Sequence, residues 1–235
     1  AMGGLKPIVA IYSTFLQRAF DQLVHDVNLQ NLDVMFAIDR AGLVGADGET
    51  HHGIYDISFM RILPKIVLMT PSDEDELLLM LNTGLNYKGP VAVRYPRGNT
   101  ASCDINMTDK DIPIGKSKLI NKGEKIAILV FGPLLHDVIE ISNKLSLTLV
   151  DMRFAKPIDK ERIDELAQTH QHLITIEDNV ISGGAGSSIN EYLVEKGYEI
   201  NITNFGVPDR TVSHGSQSEL YAEIGLDKKS LEFRI

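Results

Sequence analysis

Short apolar runs alternate with amphipathic stretches along the whole chain, and this alternation limits the possible folds more than any other feature. Predicted strands lie near residues 7–12, 33–38, 65–70, 91–95, 114–120, 125–131, 147–151, 172–176 and 199–204. Predicted helices lie near residues 14–28, 72–84, 133–145, 159–169 and 186–197. Strands that alternate with helices in this way favour parallel sheets with helices on both faces. The sequence therefore predicts an α/β fold with mainly parallel sheets.

One stretch, residues 97–112, is rich in Asn, Ser, Thr and Asp and carries neither a strand nor a helix pattern. A polar stretch of this kind between two periodic regions is typical of a linker. We therefore predict two domains, residues 1–96 and residues 113–235. With 235 residues and 43% hydrophobic residues, the chain is long and apolar enough to bury a substantial core.

A buried-strand pattern at 34–38 breaks abruptly into a loop that carries Arg40, Asp47 and His51. Ligands of open parallel sheets bind beyond the carboxyl ends of the strands, which places this loop at a site mouth. Three glycines between residues 42 and 48 allow tight turns that aim Asp47 and His51 at the same space.

The strand predicted at 7–12 ends in the same way, with Tyr12, Phe15 and Arg18 at or just after its carboxyl end. The apolar positions of the following helix, from 16 to 27, fall on one face. We expect Tyr12, Phe15 and Arg18 to share the crevice in which Arg40 lies.

Charge and composition exclude several classes of function. A formal charge of −9 argues against nucleic acid, because binding a polyanion requires a basic surface. No apolar run is long enough to span a bilayer, so we predict no membrane partner. The single cysteine, Cys103, excludes an internal disulfide and suits the reducing cytoplasm, where we place the protein.

Several long segments closely resemble the 1-deoxy-D-xylulose-5-phosphate synthase family, a transketolase-like group of thiamine-diphosphate-dependent enzymes. The resemblance covers essentially the whole chain, and such long runs are far more specific than a short motif. The segments that carry it are Ile11–Gln22, Ala37–His51, Met69–Glu74, Val93–Gly98, Leu149–Pro157 and Glu177–Gly186.

The resemblance implies the second half of a pyrimidine-binding domain, truncated at its start, followed by a transketolase-type C-terminal domain. It also implies the family reaction, in which pyruvate and D-glyceraldehyde 3-phosphate condense with loss of carbon dioxide to make a precursor of isoprenoids. The implied cofactors are thiamine diphosphate and Mg²⁺, and the implied assembly is a homodimer.

The resemblance also implies roles for individual residues. Arg40 and Arg97, with Tyr12 as a hydroxyl donor, match the positions that bind the phosphate of glyceraldehyde 3-phosphate, since an arginine fork holds a phosphate well. Phe15 matches the ring that stacks on the aminopyrimidine of the cofactor, and Arg18 shares its pocket. His51 and Asp47 match the groups that handle protons over the reacting carbons.

Pyruvate and a triose phosphate are anions, so a chain with a charge of −9 needs local cations at the site. The candidates are Arg40, Arg94 and Arg97. A second glycine-rich segment, Gly183–Gly186, lacks the spacing of a dinucleotide fingerprint, and we expect it to form a tight turn before a helix.

We predict no metal site within this chain. The family binds its metal through a Gly-Asp-Gly motif and a downstream asparagine, whereas residues 46–48 match that motif only in part and no asparagine lies between Ser72 and Glu76. The glutamate that protonates the aminopyrimidine and the diphosphate ligands are expected upstream of Ala1. We therefore expect this chain to be a fragment of a longer enzyme, whose missing N-terminal part is its partner, and to be inactive alone.

Two alternatives remain open. One is the β subunit of a 2-oxo acid dehydrogenase first component, which shares this domain layout but passes an acyl group to lipoamide. The other is a non-catalytic dimerisation module.

Overall fold

Two five-stranded sheets form the core of the protein, which we describe from a computed structural model of residues 1–98 and 110–235. Cys103 and most of the predicted linker at 97–112 lie outside these described residues, so the domain boundary there stays a prediction. The predicted α/β architecture with mostly parallel sheets is confirmed.

The first sheet has the strand order β1-β2-β4-β3-β8. Its strands are β1 (Ile8–Tyr12), β2 (Met35–Asp39), β3 (Val67–Met69), β4 (Val91–Arg94) and β8 (Phe154–Lys156). The four strands from the first half of the chain pair in parallel, so the carboxyl ends of β1, β2 and β4 lie side by side at the same end of the sheet. The last residues of these three strands are Tyr12, Asp39 and Arg94.

Strand β8 was not predicted, and it links the two halves of the chain. It pairs antiparallel with β3, with Leu68 opposite Lys156 and Met69 opposite Phe154. The ammonium group of Lys156 also donates to the backbone oxygen of Arg61 at 2.6 Å. A short segment from the second half of the chain thus completes the sheet of the first half.

The second sheet has the strand order β10-β9-β6-β7-β5. Its strands are β5 (Lys118–Asn121), β6 (Ile126–Phe131), β7 (Thr148–Asp151), β9 (His172–Val180) and β10 (Asn201–Val207). Only β5 runs antiparallel to its neighbour. The central strands β6 and β9 are buried almost throughout, which explains their continuous apolar runs.

Helices cover both sheets. Their bounds are α3 (Asp56–Met60), α4 (Glu74–Asn86), α5 (Leu135–Leu145), α6 (Lys160–Thr169), α7 (Ala185–Lys196), α8 (Gln217–Ile224) and α9 (Lys228–Arg234). The helix predicted near 72–84 is present as α4, and at its start the side chain of Asp73 accepts a hydrogen bond from the Glu76 amide at 2.8 Å. The short helices α3, α8 and α9 were not predicted.

The single helix predicted at 14–28 is wrong in detail. The segment consists of α1 (Ser13–Leu16), a 3₁₀ turn (Gln17–Ala19), α2 (Phe20–Gln22) and a π-helical stretch (Leu23–Asn28). Its apolar face is nevertheless the predicted one, since Leu16 and Leu23 are buried in the core. The changes of helix type alter the winding of the segment without moving this face away from the sheet.

The glycine-rich segment before α7 forms the expected tight turn, and it encloses a carboxylate of the chain itself. The amides of Ala185 and Gly186 donate to the two oxygens of Glu177 at 2.8 and 2.9 Å. A Cβ on Gly184 would lie 2.5 Å from Glu177 Oε2, so only glycine fits there. Burial raises the pKa of Glu177 to about 8.

None of the helices formed by the described residues has both the length and the apolar composition needed to cross a membrane.

Candidate active site

The loop between β2 and α3 carries Asp47 and His51 and is closed at its neck by a pair of glycines. Gly42 and Gly53 exchange backbone hydrogen bonds of 2.7 and 2.8 Å. Between them the chain makes two 3₁₀ turns, Gly45–Asp47 and Glu49–His51. Glycines 42, 45 and 48 all have positive φ, as the sequence pattern predicts for such tight turns. We call residues 40–53 the acceptor loop.

An aromatic row connects the end of β1 to the acceptor loop. The rings of Tyr12 and Phe15 are stacked, with their centroids 5.1 Å apart and an interplanar angle of 8°. The ring of Phe15 also meets the imidazole of His51 edge-on, with the ring centroids 5.8 Å apart. Phe15 remains 43% exposed, which is high for an aromatic residue within such a row.

The side chain of Arg40 lies over the first ring of this row, that of Tyr12. Its Cζ atom lies 4.1 Å from the ring centroid of Tyr12, a cation–π distance. Its guanidinium also pairs with Asp39 at the end of β2 and, through Nε at 3.3 Å, with Asp47. Partial desolvation lowers the pKa of Arg40, but the carboxylate of Asp39 and the other neighbouring groups outweigh it and raise that pKa overall.

Asp47 joins two of the predicted phosphate-binding arginines. Its Oδ2 faces Arg40, and its Oδ1 lies 3.3 Å from Nη1 of Arg97. The two guanidinium groups therefore converge on one carboxylate. Within the described part of the chain, the ion-pair partners of Asp47 are these two arginines and not His51, and the predicted proton-handling role of Asp47 and His51 stays a prediction. Its contacts place Asp47 among the cations.

His51 keeps one ring nitrogen open. Nδ1 lies 3.0 Å from the hydroxyl oxygen of Thr50. Within residues 1–98 and 110–235, Nε2 of His51 has no hydrogen-bond partner. This nitrogen is therefore available to give or accept a proton.

Two cavities flank the site. A cavity of about 390 Å³ is lined by Thr14, Phe15, Gln17, Arg18, Thr50 and His51. A larger cleft of about 1220 Å³ is lined by Arg40 and Arg97 and extends to Pro133 and His136 of the second half. All seven predicted site residues thus belong to one connected region. Phe15, Arg18 and His51 share the smaller cavity, while Arg40 and Arg97 border the larger cleft.

Arg94 was also a candidate for binding an anionic substrate, and this prediction is wrong. Its side chain is almost completely buried and pairs with Asp56 at 2.8 Å and Asp178 at 2.5 Å. Burial by itself would lower the pKa of Arg94, but the carboxylates of Asp178 and Asp56 outweigh that effect and raise it. The Arg94 side chain is only 2% exposed and is held by two fully buried carboxylates, so it has no free surface with which to contact a substrate.

Sequence reasoning missed three residues that build the site. Asp39 holds Arg40, Asp178 lies beneath the neck of the acceptor loop, and His52 is buried beside His51. Asp39 carried a signal, since it is a carboxylate at a strand end directly before Arg40. His52 carried none, and nothing near Asp178 indicated a role in this site, because the partners of both residues lie far away in the sequence.

The smaller cavity suits part of an aromatic cofactor. One face of Phe15 is covered by Tyr12, whereas much of the ring is open at the cavity, where a second ring can stack. In the described ranges, no three histidine, cysteine or carboxylate side chains are grouped so as to hold a metal ion.

Comparison with protein families identifies two domains. Residues 1–102 match the transketolase pyrimidine-binding domain and residues 115–231 match the transketolase C-terminal domain. The whole chain is 56% identical to the 1-deoxy-D-xylulose-5-phosphate synthase of Haemophilus influenzae and 52% identical to that of Psychromonas ingrahamii. It spans only 37% and 38% of the lengths of these two relatives.

Solved structures agree with these matches. A structure titled split gene transketolase, inactive beta4 tetramer, superposes with a TM-score of 0.85 at 25% identity and covers 99% of this chain and 76% of its own. A transketolase from Campylobacter jejuni, at 15% identity and a TM-score of 0.71, covers 96% of this chain and 34% of its own and shows the same fold.

Transketolases and 1-deoxy-D-xylulose-5-phosphate synthases are thiamine-diphosphate-dependent enzymes. The two matched domains together account for nearly all of the chain. The chain therefore belongs to the transketolase family, and it is similar along its whole length to 1-deoxy-D-xylulose-5-phosphate synthases.

Proposed function

We propose that this chain carries the acceptor side of a 1-deoxy-D-xylulose-5-phosphate synthase site, which condenses pyruvate with D-glyceraldehyde 3-phosphate and releases carbon dioxide. One observation carries the proposal: Asp47 draws Arg40 and Arg97 together beside the row of Tyr12, Phe15 and His51. An anion-binding pair of arginines thus lies next to an open imidazole. The identity of 52–56% to synthases of this type supports the choice of reaction.

Arg40, Arg97 and Tyr12 bind the phosphate of glyceraldehyde 3-phosphate in this proposal. Guanidinium groups offer several donors in a fixed plane, so each arginine can hold Asp47 and still donate to a phosphate oxygen. Asp47 serves mainly to aim both guanidinium groups, since its two oxygens are engaged by them. The local cations offset the unfavourable charge of −9 on the chain.

Phe15 and Arg18 line the pocket for the aminopyrimidine ring of thiamine diphosphate. The exposed part of Phe15 provides a stacking surface, and Arg18 lies on the same cavity. When bound, thiamine diphosphate supplies the stabilised carbanion chemistry that this reaction needs. We assign Mg²⁺ and the ligands of the diphosphate to a part of the enzyme outside this chain, since a hard cation requires grouped oxygen ligands.

His51 handles the proton that the carbonyl oxygen of the acceptor aldehyde takes up. Its Nε2 atom is free of hydrogen bonds to the described residues, and its ring is held against Phe15. Histidine is suited to this task because it can exist in either protonation state near neutral pH. We therefore assign the proton transfer to Nε2 of His51 and an orienting role to Asp47.

The chain acts together with a complementary N-terminal part of the enzyme, and we expect the whole to be a homodimer. It spans 37% of the length of its Haemophilus relative, and the split-gene transketolase structure that it resembles is titled an inactive beta4 tetramer. Strand β1 also has an open edge in the described sheet, and Ile8 on that strand is 55% exposed. An open, apolar edge of this kind is normally covered. The cytoplasmic location stays a prediction.

A chimera tests the proposal. This chain replaces the matching 37% of the Haemophilus influenzae enzyme, and product formation is measured with pyruvate, glyceraldehyde 3-phosphate, thiamine diphosphate and Mg²⁺. We expect the chimera to make deoxyxylulose phosphate and the chain alone to make none. A well-folded chimera without activity, or an active chain alone, would contradict the proposal.

The same chimera separates the two alternatives. A 2-oxo acid dehydrogenase subunit would consume pyruvate with lipoamide as acceptor and without glyceraldehyde 3-phosphate. A dimerisation module would tolerate Arg40→Ala and His51→Ala without any change in activity. We expect pyruvate consumption to require glyceraldehyde 3-phosphate and both substitutions to reduce turnover.

A further inference from the structure

Residues from the second half of the chain pack against the acceptor loop and bind its backbone. At its neck, Asp178 of β9 lies so close to Gly42 that a Cβ there would come within 2.1 Å of Oδ2 of Asp178. Arg94, which pairs with Asp178, also donates to the backbone oxygen of Gly53 at 3.3 Å. The two glycines that close the loop therefore rest on a buried ion pair that joins both sheets.

His52 makes a second connection, directly beside His51. Its side chain is only 4% exposed. The amide of Val44 donates to its Nδ1 at 3.3 Å, and its Nε2 lies 3.3 Å from the backbone oxygen of Ser213. An amide donor on Nδ1 and a carbonyl acceptor at Nε2 select the neutral tautomer that carries its proton on Nε2. The imidazole thus bridges the acceptor loop to the segment before α8.

Gln217 makes a third connection from the first residue of α8. Its Nε2 atom donates to the backbone oxygen of Leu43 at 2.7 Å. A Cβ on Gly45 would lie only 2.8 Å from the backbone nitrogen of Gln217, so the two backbones are in close contact. Ser216 fixes the start of α8 through a capping box with Glu219. The donor that reaches the loop therefore comes from a well-anchored helix end.

We propose that the segment 213–217 of the C-terminal domain positions His51 for catalysis, with His52 and Gln217 as the positioning residues. Neither residue lines the cavity that contains His51. They act by fixing the backbone on both sides of the turn that bears it. The catalytic part of this inference rests on the proposed function, whereas the structural coupling does not.

Hydrogen exchange on the chain itself tests the coupling. The amides of Gly48 and His51 are bonded to the oxygens of Gly45 and Gly48 and report directly on the loop turns. We expect His52→Leu, which removes both bridging bonds, to speed exchange at these amides by about tenfold, as loss of a buried hydrogen bond should. His52→Gln, whose amide can both accept from Val44 and donate to Ser213, should restore slow exchange.

The position of His51 gives a second readout. Because its ring meets Phe15 edge-on, the chemical shifts of the His51 ring protons depend on that contact. We expect these shifts to change in His52→Leu and to return in His52→Gln. Gln217→Glu replaces the donor to Leu43 by a carboxylate and leaves the core intact. We expect it to change the His51 shifts as well. His25→Leu and Gln168→Glu, at exposed sites away from the loop, serve as matched controls.

Unchanged exchange and unchanged His51 shifts in both His52→Leu and Gln217→Glu would overturn the proposal, as would a His52→Gln variant that behaves like His52→Leu. Exchange at β4 shows whether each variant is folded. In the chimera we expect His52→Leu to lower kcat by about 10- to 100-fold with little change in the KM for pyruvate. A chimera that is inactive without these substitutions refutes the proposed function, and the exchange data on the chain still decide the coupling.

Discussion

Nη1 of Arg94 donates to Oδ1 of Asp178 at 2.5 Å, and this bond joins the last residue of β4 in the first sheet to β9 in the second. Both side chains are at most 2% exposed, and Asp56 completes the cluster. A buried pair of this kind is expensive to form, but its members are far more costly when separated. The cluster therefore couples the stability of the two halves of the chain.

Loss of one partner should expose this coupling. We expect Arg94→Met, which leaves Asp56 and Asp178 buried without their cation, to lower the free energy of unfolding by about 3–5 kcal/mol. Urea unfolding measures the change. Lys228→Ala, which breaks an ion pair with Glu140 on the surface, should have a much smaller effect, because water screens exposed charges. Equal effects of the two substitutions would show that the buried cluster does not stabilise the fold.

Gly42→Ala separates backbone strain from steric clash. Gly42 has φ of +76°, and its missing Cβ would lie 2.1 Å from Asp178 Oδ2. Gly197 has φ of +72° and nothing within 4 Å of its missing Cβ, so Gly197→Ala measures the strain alone, about 1 kcal/mol. We expect Gly42→Ala to be clearly more destabilising in thermal unfolding. A cost no larger than that of Gly197→Ala would mean that Asp178 can move aside freely.

Asp151 makes the stability of the chain depend on pH. Burial, together with the nearby carboxylate of Glu76, raises its pKa from 3.8 to about 6, although a hydrogen bond from Ser72 opposes the shift. A carboxyl whose pKa is higher in the folded state contributes stability that is complete below pH 3.8 and is lost as the pH rises through about 6. The difference between these two pKa values corresponds to at most roughly 3 kcal/mol of unfolding free energy.

Asp151→Asn should remove this dependence, because an amide of the same shape cannot ionise and can still bond to Ser72. We expect the difference in unfolding free energy between pH 4 and pH 8 to be smaller in the variant than in the unsubstituted chain. Asp209→Asn, at an exposed carboxyl, is the control for general charge effects. Parallel pH profiles for Asp151→Asn and the unsubstituted chain would contradict the assignment.

Local patterns predicted most of the fold because the strands of a parallel sheet are apolar on both faces. The runs that became β2 and β6 could be recognised from the sequence alone. Strand β8 could not, since a segment of three residues has too little pattern and forms only because β3 offers it an edge. The π-helical stretch at Leu23–Asn28 was missed because its apolar spacing also fits an ordinary α-helix.

The candidate site also has one part that could be predicted from the sequence and one part that could not. Tyr12 and Arg40 could be placed together because the carboxyl ends of adjacent parallel strands meet at one edge. The link from His52 to Ser213 spans 161 positions and depends on how the two sheets pack, which no local pattern encodes. Arg94 was misplaced for this reason, since its partner Asp178 belongs to the other sheet.

Substitution of the two arginines should separate binding from chemistry. In the chimera, we expect Arg40→Lys and Arg97→Lys each to raise the KM for glyceraldehyde 3-phosphate by about tenfold, because lysine cannot replace the planar fork. The kcat and the KM for pyruvate should change little, since neither arginine contacts His51 in the described structure. Arg210→Lys, at a side chain about as exposed as that of Arg97 and paired with Glu223, is the matched control. If Arg97→Lys lowered kcat and left this KM unchanged, Arg97 would act on the reacting atoms and its assignment to the phosphate would fail.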